Sequence, residues 1–298
     1  MKKIFIIILA FVANNYCFAQ DDLFSTMLND SNNSKPTPVY ATFKSTRLIT
    51  GQSTENISSK HLNVVILHRF GLVKNGEDLY YNFLGFDNAS IRFAFDYGIT
   101  NNLMVGIGRS VIGKTYDGSI KYKFLKQKKG SGTMPISLSY YGNMSINTSE
   151  WEDKMRDNYF SSRLQFCNSF LISRKFNEHL SLQIMPTFIH RNLVKFAEND
   201  LYVLGVGGSI KITRSTRLNF EYYPRLNGRN EQNQFDCLSV GFDIETGGHV
   251  FQLMLTNSVG MIEQTMITQT NISWPNQGLR LGFNLSRKFS FDRGNKSK

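Results

Sequence analysis

The sequence predicts an all-β fold, an antiparallel outer-membrane β-barrel of about 12 strands, from three observations. Apolar and polar residues alternate in one segment after another from about residue 62 to residue 291. The chain begins with a short export signal, and no later apolar run is long enough for a membrane-spanning helix. Because side chains alternate between the two faces of a strand, each segment offers an apolar face to lipid and a polar face to a hydrated interior.

Residues 1–19 are predicted to be a signal peptide that is cleaved after Ala19. Lys2 and Lys3 form a basic start, the apolar run Ile4–Ala13 follows, and Cys17 and Ala19 occupy the positions just before the cleavage site. The apolar run is shorter than the roughly 20 residues that a helix needs to cross a bilayer. The segment is therefore expected to direct export and not to anchor the chain.

Residues 20–60 are predicted to be a periplasmic or lumen-lying segment. They contain a short amphipathic piece, Asp22–Asn29, a linker rich in Ser, Asn and Pro, and an extended stretch at 39–49. Bacterial membrane barrels have an even number of strands. The strand count is even only if 39–49 does not belong to the barrel wall, so we expect this stretch to lie below or inside the barrel.

The transmembrane barrel is predicted to span residues 61–291, and a polar tail follows at 292–298. Short links that contain Asn or Gly are typical of tight turns, and they alternate with longer loops as in bacterial barrels. The predicted strands are 62–70, 90–98, 102–111, 116–124, 134–146, 159–175, 180–190, 201–211, 216–225, 235–245, 249–257 and 279–291.

The polar face of the predicted strands carries charges of both signs. Charges inside a low-dielectric wall need partners or water, so we expect either a plug of ion-paired side chains or a wetted channel. The apolar loop segment Gly260–Ile267 is expected either to fold into the barrel mouth or to lie on the membrane. The predicted lumen-lining residues are Arg92, Asp96, Lys121, Arg163, Arg217, Glu221, Arg225, Asp243, Glu245 and Arg280.

Charge and aromatic residues indicate the expected partners. The formal net charge is +11, and a basic rim suits outer-membrane lipids and the phosphates of lipopolysaccharide. The last strand ends in alternating aromatic residues, Phe289 and Phe291, and resembles the strand that the outer-membrane assembly machinery recognises. Nucleic acid is the other usual partner of a basic protein, and export argues against it. The oligomeric state stays open.

The sequence predicts no catalytic residue, no metal site and no cofactor. Gly108–Thr115 matches the phosphate-loop pattern, but an alternating strand follows where that loop requires a helix. The histidines lack the spacing of zinc ligands, and His190 has no partner in a recognisable catalytic pattern. Cys167 and Cys237 are compatible either with free buried thiols or with a disulfide in an oxidising compartment.

Three longer stretches resemble a known family. Ala89–Thr100, Met185–Val194 and Gly241–Leu253 resemble the membrane-bound β-barrel family catalogued as domain of unknown function 5777, and Lys114–Gly118 and Asn257–Glu263 are similar to it as well. The resemblance covers nearly all of the mature chain and implies an outer-membrane barrel of a Gram-negative, Bacteroidetes-type bacterium. It implies no activity, because none is assigned to the family, and no functional residue is carried over.

The leading functional hypothesis is a non-enzymatic barrel with a charged lumen, either a passive, porin-like small-solute channel or a structural or binding barrel. One alternative is an outer-membrane hydrolase that acts at the outer mouth and uses His190. A second alternative is a soluble, exported β-sandwich carrier. Three experiments distinguish these classes of protein. Conductance in planar bilayers would support the channel, and loss of hydrolysis in a His190→Ala variant would support the enzyme. Partition into the aqueous phase without detergent would support the β-sandwich.

The predicted arginines of the lumen give a test of ion selectivity. If Arg92, Arg163, Arg217 and Arg225 line an open path, anions should pass more readily than cations, because rings of positive charge select anions. Reversal potentials in planar bilayers under a salt gradient measure this preference. A potential that reports cation preference would contradict the expectation.

Overall fold

The structure of the protein, a computed structural model, describes residues 36–73, 81, 83–130, 133–195, 197–228, 234–276 and 278–291. The signal peptide predicted at 1–19, the amphipathic piece at 22–29 and the polar tail at 292–298 lie outside the described residues. Within the described ranges, no helix is both long enough and apolar enough to cross a membrane.

Twelve antiparallel strands form one closed barrel, which confirms the fold predicted from the sequence. Each strand pairs with the next along the chain, and the last pairs with the first, so the sheet has no free edge. One closed sheet also excludes the two packed sheets of a β-sandwich. In chain order the strands are β1 (His61–Leu72), β2 (Ser90–Gly98), β3 (Leu103–Ser110), β4 (Tyr116–Leu125), β5 (Ser137–Ile146), β6 (Leu164–Lys175), β7 (Leu180–Arg191), β8 (Asp200–Lys211), β9 (Thr216–Tyr223), β10 (Cys237–Thr246), β11 (His249–Thr256) and β12 (Arg280–Ser290).

Strand β6 begins later than the sequence predicted. The expected strand started at residue 159, whereas Phe160–Arg163 form a 3-10 helix ahead of β6. The guanidinium of Arg163 donates to the carbonyl oxygens of Asn147 (2.8 Å) and Ser149 (2.7 Å). Its carbon Cζ lies 3.9 Å from the ring centroid of Trp151. These contacts hold the segment in the loop between β5 and β6, so Arg163 is not part of the barrel wall.

The two ends of the barrel differ in the length of their connections. The first and last residues of the wall, His61 and Ser290, pair with each other at the end that we call the turn end. Gly247 and Gly248 have positive φ angles of 49° and 100°, as the tight turn between β10 and β11 requires. The links at the turn end are 99–102, 126–136, 176–179, 212–215 and 247–248; those at the opposite end, the loop end, are 73–89, 111–115, 147–163, 192–199, 224–236 and 257–279.

Side chains alternate between the lumen and the outer surface. In β2, Arg92, Ala94 and Asp96 are buried, whereas Phe93 and Phe95 are exposed on the outside. Because lipid offers no hydrogen-bond partners, an exposed apolar surface of this kind suits contact with acyl chains. Further exposed apolar residues of the outer face are Ile107, Ile120, Phe170, Ile184, Tyr202, Tyr222, Phe242 and Leu253.

A short helix lies in the loop between β11 and β12. All residues of this helix, α1 (Glu263–Thr268), are buried. Short 3-10 helices occur at Phe83–Gly85, Ile112–Lys114, Phe160–Arg163 and Trp274–Asn276. After Ile112–Lys114 the chain enters β4 directly. The pattern Gly108–Thr115 therefore joins two strands and lacks the following helix of a phosphate loop.

The outer face gives a test of the membrane belt. Leu253 lies near the middle of β11 and is exposed on the outside. We predict that Leu253→Arg lowers the free energy of unfolding by about 2–4 kcal/mol, because a charge near the bilayer midplane loses its hydration. Urea unfolding in phospholipid vesicles measures the change. His249→Arg, at the turn end of the same strand, is the matched control and should cost at most about 1 kcal/mol; equal costs at both positions would contradict the belt.

Candidate functional site: the filled lumen

The N-terminal segment folds into the barrel as a hairpin of residues 41–57, which we call the lumen hairpin. Both of its legs lie against links of the turn end. The Lys44 ammonium donates to the carbonyl oxygen of Arg214 (3.0 Å) on one side, and the Asn56 side chain donates to that of Asn102 (2.7 Å) on the other. The central part of the hairpin, residues 45–54, is buried throughout. The stretch 39–49 contributes no strand to the wall.

The hairpin reverses direction at Leu48–Gly51. The Leu48 N–H donates to the Gly51 carbonyl oxygen (2.8 Å), and Arg47 and Gln52 form an antiparallel bridge beside the turn. A Cβ atom at Gly51 would lie 1.7 Å from the hydroxyl oxygen of Tyr223. Only glycine therefore lets the tip of the hairpin approach β9 this closely.

The carboxylate of Glu221, on β9, binds the tip of the hairpin. Its oxygens accept the backbone N–H groups of Thr50 (3.0 Å), Gly51 (3.1 Å) and Ile49 (3.3 Å). Glu221 is 0% exposed. The three amides stabilise a buried carboxylate, and the carboxylate in turn satisfies amides that a tight turn leaves unpaired.

The ammonium group of Lys121, on β4, binds both legs of the hairpin. It donates to the carbonyl oxygens of Thr46 (3.1 Å) and Ser53 (3.0 Å) and to the side-chain oxygen of Gln52 (3.0 Å). These acceptors use all three donors of an ammonium group. Lys121 is 0% exposed, so the hairpin supplies the surroundings that a buried cation requires.

One buried ion pair joins the hairpin to the wall, and a second joins two strands of the wall on its inner face. Arg47 of the hairpin donates to both carboxylate oxygens of Asp96 on β2, at 2.8 and 3.4 Å. Arg92, on the same strand, donates to both oxygens of Asp117 on β4, at 2.6 and 3.1 Å. Asp117 also accepts from Asn143 on β5 (3.3 Å). Paired and bidentate contacts compensate the loss of hydration that isolated charges would suffer here.

A second segment enters the lumen from the loop end. We call residues 257–270, which include α1, the lumen loop; nearly all of them are buried. The Glu263 carboxylate accepts the backbone N–H of Gln52 (3.0 Å), and Gln264 donates to the side-chain oxygen of Asn143 (2.6 Å). Burial raises the pKa of the Glu263 carboxyl above its ordinary value. The lumen hairpin and the lumen loop therefore meet inside the barrel.

An apolar core forms where the two segments meet the wall. Phe43 and Leu48 from the hairpin and Met266 and Ile267 from α1 belong to it. Wall residues of the same core are Tyr141, Cys167, Leu171, Met185, Ile189, Leu201, Val203, Tyr223 and Cys237. Cys167 and Cys237 are free buried thiols. On this side of the lumen, buried apolar side chains of the hairpin, α1 and the wall therefore pack together.

Three predicted lumen residues lie towards the turn end. Arg217 on β9 stands opposite Asp243 on β10 in the strand register, and both are buried. Asp243 accepts a hydrogen bond from Gln252 (2.8 Å). Glu245 is half exposed and forms an ion pair with Lys44 of the hairpin. The hairpin thus also provides a positive partner for a carboxylate at this end of the barrel.

The remaining predicted residues lie towards the loop end. Arg225 follows the end of β9, is buried, and its Nε lies 3.3 Å from the carboxylate of Asp236. Arg280, at the first residue of β12, is half-buried and donates to the carbonyl oxygen of Phe70 (3.3 Å). Arg163 lies in the loop before β6, as described above. Arginines that were expected to line one path are therefore separated, and Arg92 and Arg225 have carboxylate partners.

Sequence reasoning missed Arg69, a wall arginine that contacts the hairpin tip. Arg69 is fully buried and donates to Thr50 of the hairpin (2.9 Å) and to the side-chain oxygen of Asn284 (3.0 Å). Its strand, β1, is apolar on both faces, because Val65 and Leu67 also face inward. An inward face is usually recognised by polar residues at every second position, and β1 lacks this pattern. The only sequence indication was that Asn63 and Arg69 are six residues apart and therefore lie on the same face.

Other missed residues lie outside the strands or close to their ends. Arg47, Gln52 and Glu263 lie in segments without strand periodicity, so no pattern assigned them a face. Asp117 is the second residue of β4 and lies within the predicted strand 116–124, but it was not among the predicted lumen-lining residues. These residues are recognisable as lumen residues only through their partners in the folded chain.

Among the described residues, the direct neighbours of His190 are a carboxylate and an aromatic ring. Its Nδ1 lies 2.5 Å from a carboxylate oxygen of Asp200 at the loop end of the outer face. The residues opposite His190 in the strand register are Asp200 and Phe166, and neither is a serine or cysteine nucleophile. Among the described residues, no group of three His, Cys, Asp or Glu side chains is arranged to hold a metal ion.

The sequence model of a membrane-bound beta-barrel domain, domain of unknown function 5777, matches residues 43–289. The chain belongs to this family. The match begins within the lumen hairpin, so the hairpin belongs to the family domain together with the wall. No curated protein sequence matches the chain.

Several solved barrels share the general shape of this family member at low identity. A NanC porin is 8% identical, with a TM-score of 0.46, and the match covers 77% of this chain and 99% of the porin. Salmonella typhi OmpF in complex with daunomycin is 6% identical, with a TM-score of 0.38 and coverages of 77% and 96%. The CymD monoaromatic hydrocarbon channel is 8% identical, with a TM-score of 0.35 and coverages of 79% and 89%. Similarities this distant indicate neither a cargo nor a reaction.

The Arg47–Asp96 pair gives a test of how the hairpin is held. We predict that Asp96→Asn lowers the free energy of unfolding by about 3 kcal/mol, because it leaves the Arg47 guanidinium buried without a counter-charge. Urea unfolding in vesicles measures the change, and faster proteolysis within residues 41–57 should accompany it. Glu245→Gln, which removes the half-exposed partner of Lys44, is the matched control and should cost at most about 1 kcal/mol. Similar small costs for both variants would show that the buried pair does not hold the hairpin.

Proposed function

We propose that this family member is a closed barrel of the outer membrane of a Gram-negative cell, with a structural or binding role and a lumen sealed at rest by its own segments. The exposed apolar belt, the predicted signal peptide and the aromatic end of β12 support the location. Phe289, near the end of β12, is exposed on the outside, which suits recognition by the assembly machinery and contact with outer-membrane lipids.

The hydrogen bond from Gln52 to Glu263 carries this proposal. It joins a hairpin that enters from one end to a loop that enters from the other. A steady diffusion pore needs a continuous hydrated path with lining groups that remain available to solutes. Here the wall groups Asp96, Lys121 and Glu221 are already occupied by the hairpin. The closed arrangement therefore favours a sealed barrel over passive diffusion of solutes.

A gated channel is the second candidate. The contacts given above between the lumen hairpin and the wall are hydrogen bonds, ion pairs and apolar packing, and these are reversible. Both legs of the hairpin lie at the turn end, so the hairpin can withdraw without passing through the barrel. Opening would expose Arg69, Asp96, Lys121 and Glu221 together, which would give a lumen with charges of both signs.

Removal of the hairpin tests the seal. In planar bilayers the wild-type protein should give no steady current, whereas replacement of residues 42–57 by a short Gly-Ser linker should give one, because water enters where the hairpin was. Replacement of residues 148–158, in a loop outside the lumen, by the same linker is the matched control and should leave the barrel silent. Steady current through the wild-type protein at low voltage would overturn the closed-barrel proposal.

A disulfide lock separates a sealed barrel from a gated one without removing any segment. The hydroxyl oxygens of Thr54 and Ser173 lie 2.6 Å apart, so Thr54→Cys with Ser173→Cys brings two thiols within bonding reach. Cys167→Ala and Cys237→Ala remove the two native thiols that lie outside the predicted signal peptide. If wild-type openings occur, oxidation of the lock should abolish them and reduction should restore them, which would favour the gated channel. Openings that persist under oxidation would show that ions bypass the hairpin.

A further inference from the structure

The outer face of the barrel has an apolar groove between β2 and β5 near the loop end. Its volume is about 390 Å³, within the roughly 300–1,000 Å³ of small-molecule sites. Two cross-strand rows of outward-facing residues form it. The row nearer the middle of the barrel is Phe95, Ile107, Gly118 and Met144, and the row nearer the loop end is Phe93, Arg109, Tyr116 and Ile146.

Gly118 makes the groove deep. It faces outward on β4, and a Cβ atom there would meet no other atom within 4 Å. Ile107 and Met144, its neighbours in the register, are exposed and rise on either side of it. A smaller depression of about 260 Å³ shares Gly118 and Met144 with the groove and extends towards β6. A missing side chain in an otherwise apolar belt leaves space for an extended apolar chain.

Arg109 places a cation at the loop end of the groove. Its guanidinium carbon lies 5.3 Å from the centroid of the Tyr116 ring, which stacks beside it. Within the described residues, no carboxylate lies within ion-pair distance of Arg109. Asp117, the nearest acidic residue in sequence, faces inward and is held by Arg92. The exposed Lys114, in the loop after β3, adds a second positive charge at this end.

We propose that this groove binds an anionic lipid, with one acyl chain over Gly118 and the headgroup phosphate on Arg109. The position of Arg109 near the loop end of β3 suits the depth at which lipid phosphates lie, and an exposed guanidinium matches phosphate geometry. The site rests on the membrane location of the barrel and is independent of whether the lumen conducts.

Native mass spectrometry of the purified full-length protein tests the headgroup contact. The probes are phosphatidylglycerol and phosphatidylcholine with identical acyl chains, added to the detergent-solubilised protein. Wild-type protein should retain phosphatidylglycerol preferentially, and Arg109→Ala should weaken that preference about fivefold, as expected for one arginine at a membrane surface. Arg174→Ala is the matched control, because Arg174 also stacks on an outward aromatic ring, Phe176, but lies at the turn end. Equal losses in both variants, or no loss in Arg109→Ala, would overturn the site.

A second variant tests the groove itself. Gly118→Leu should fill the floor without a clash and reduce retention of both lipids, whereas Val240→Leu, on the outer face of β10, should leave retention unchanged. Undiminished retention in Gly118→Leu would show that surface charge alone attracts the lipid and would overturn the proposal. A protein dimer that dissociates in Gly118→Leu would assign the groove to a second copy of the chain and would overturn it as well. Planar-bilayer conductance of the same variants should match that of wild-type protein, which keeps this test separate from that of the lumen.

Discussion

Pairing of buried charge inside a narrow barrel is the constraint on which the rest of the structure depends. A carboxylate or ammonium group that leaves water must recover its hydration from fixed partners. The wall of this barrel presents Asp96, Lys121 and Glu221 to the lumen. The lumen hairpin provides a guanidinium group for Asp96, carbonyl oxygens for Lys121 and backbone amides for Glu221. The wall and the hairpin therefore stabilise each other, because each supplies partners for buried polar groups of the other.

The size of the barrel explains why additional segments are needed. Barrels of about 8 strands are filled by their own side chains, whereas those of about 16–18 strands leave an aqueous channel. Twelve strands lie between these cases. The hairpin and the lumen loop fill space that wall side chains leave, and the two segments are joined by the hydrogen bond between Gln52 and Glu263.

The inner and outer faces of the same strands carry separate features. Strand β4 turns Asp117 and Lys121 inward, where ion pairs and hydrogen bonds fix them. The same strand turns Tyr116 and Gly118 outward, where they form part of a groove open to lipid. Because the strand period of two separates these sets, changes on the outer face leave the lumen contacts in place.

The sequence by itself determined the strand count, the faces of most strands and the identity of the apolar belt. These properties follow from a local period of two, and β2 and β7 show it in full. The period failed where local chemistry overrode it, at Arg163, which a stacked Trp151 draws into a loop. It also failed in β1, where Val65 and Leu67 face an apolar patch inside the barrel.

Only the tertiary structure decided that the lumen is filled. The hairpin residues Arg47, Thr50 and Gln52 have no periodic pattern, and their partners lie on distant strands. Which wall charge receives which hairpin group depends on where the chain reverses, and at that point Gly51 lies so close to Tyr223 that a Cβ atom would clash. A contact of this kind has no counterpart in local sequence, because it joins residues that are distant along the chain.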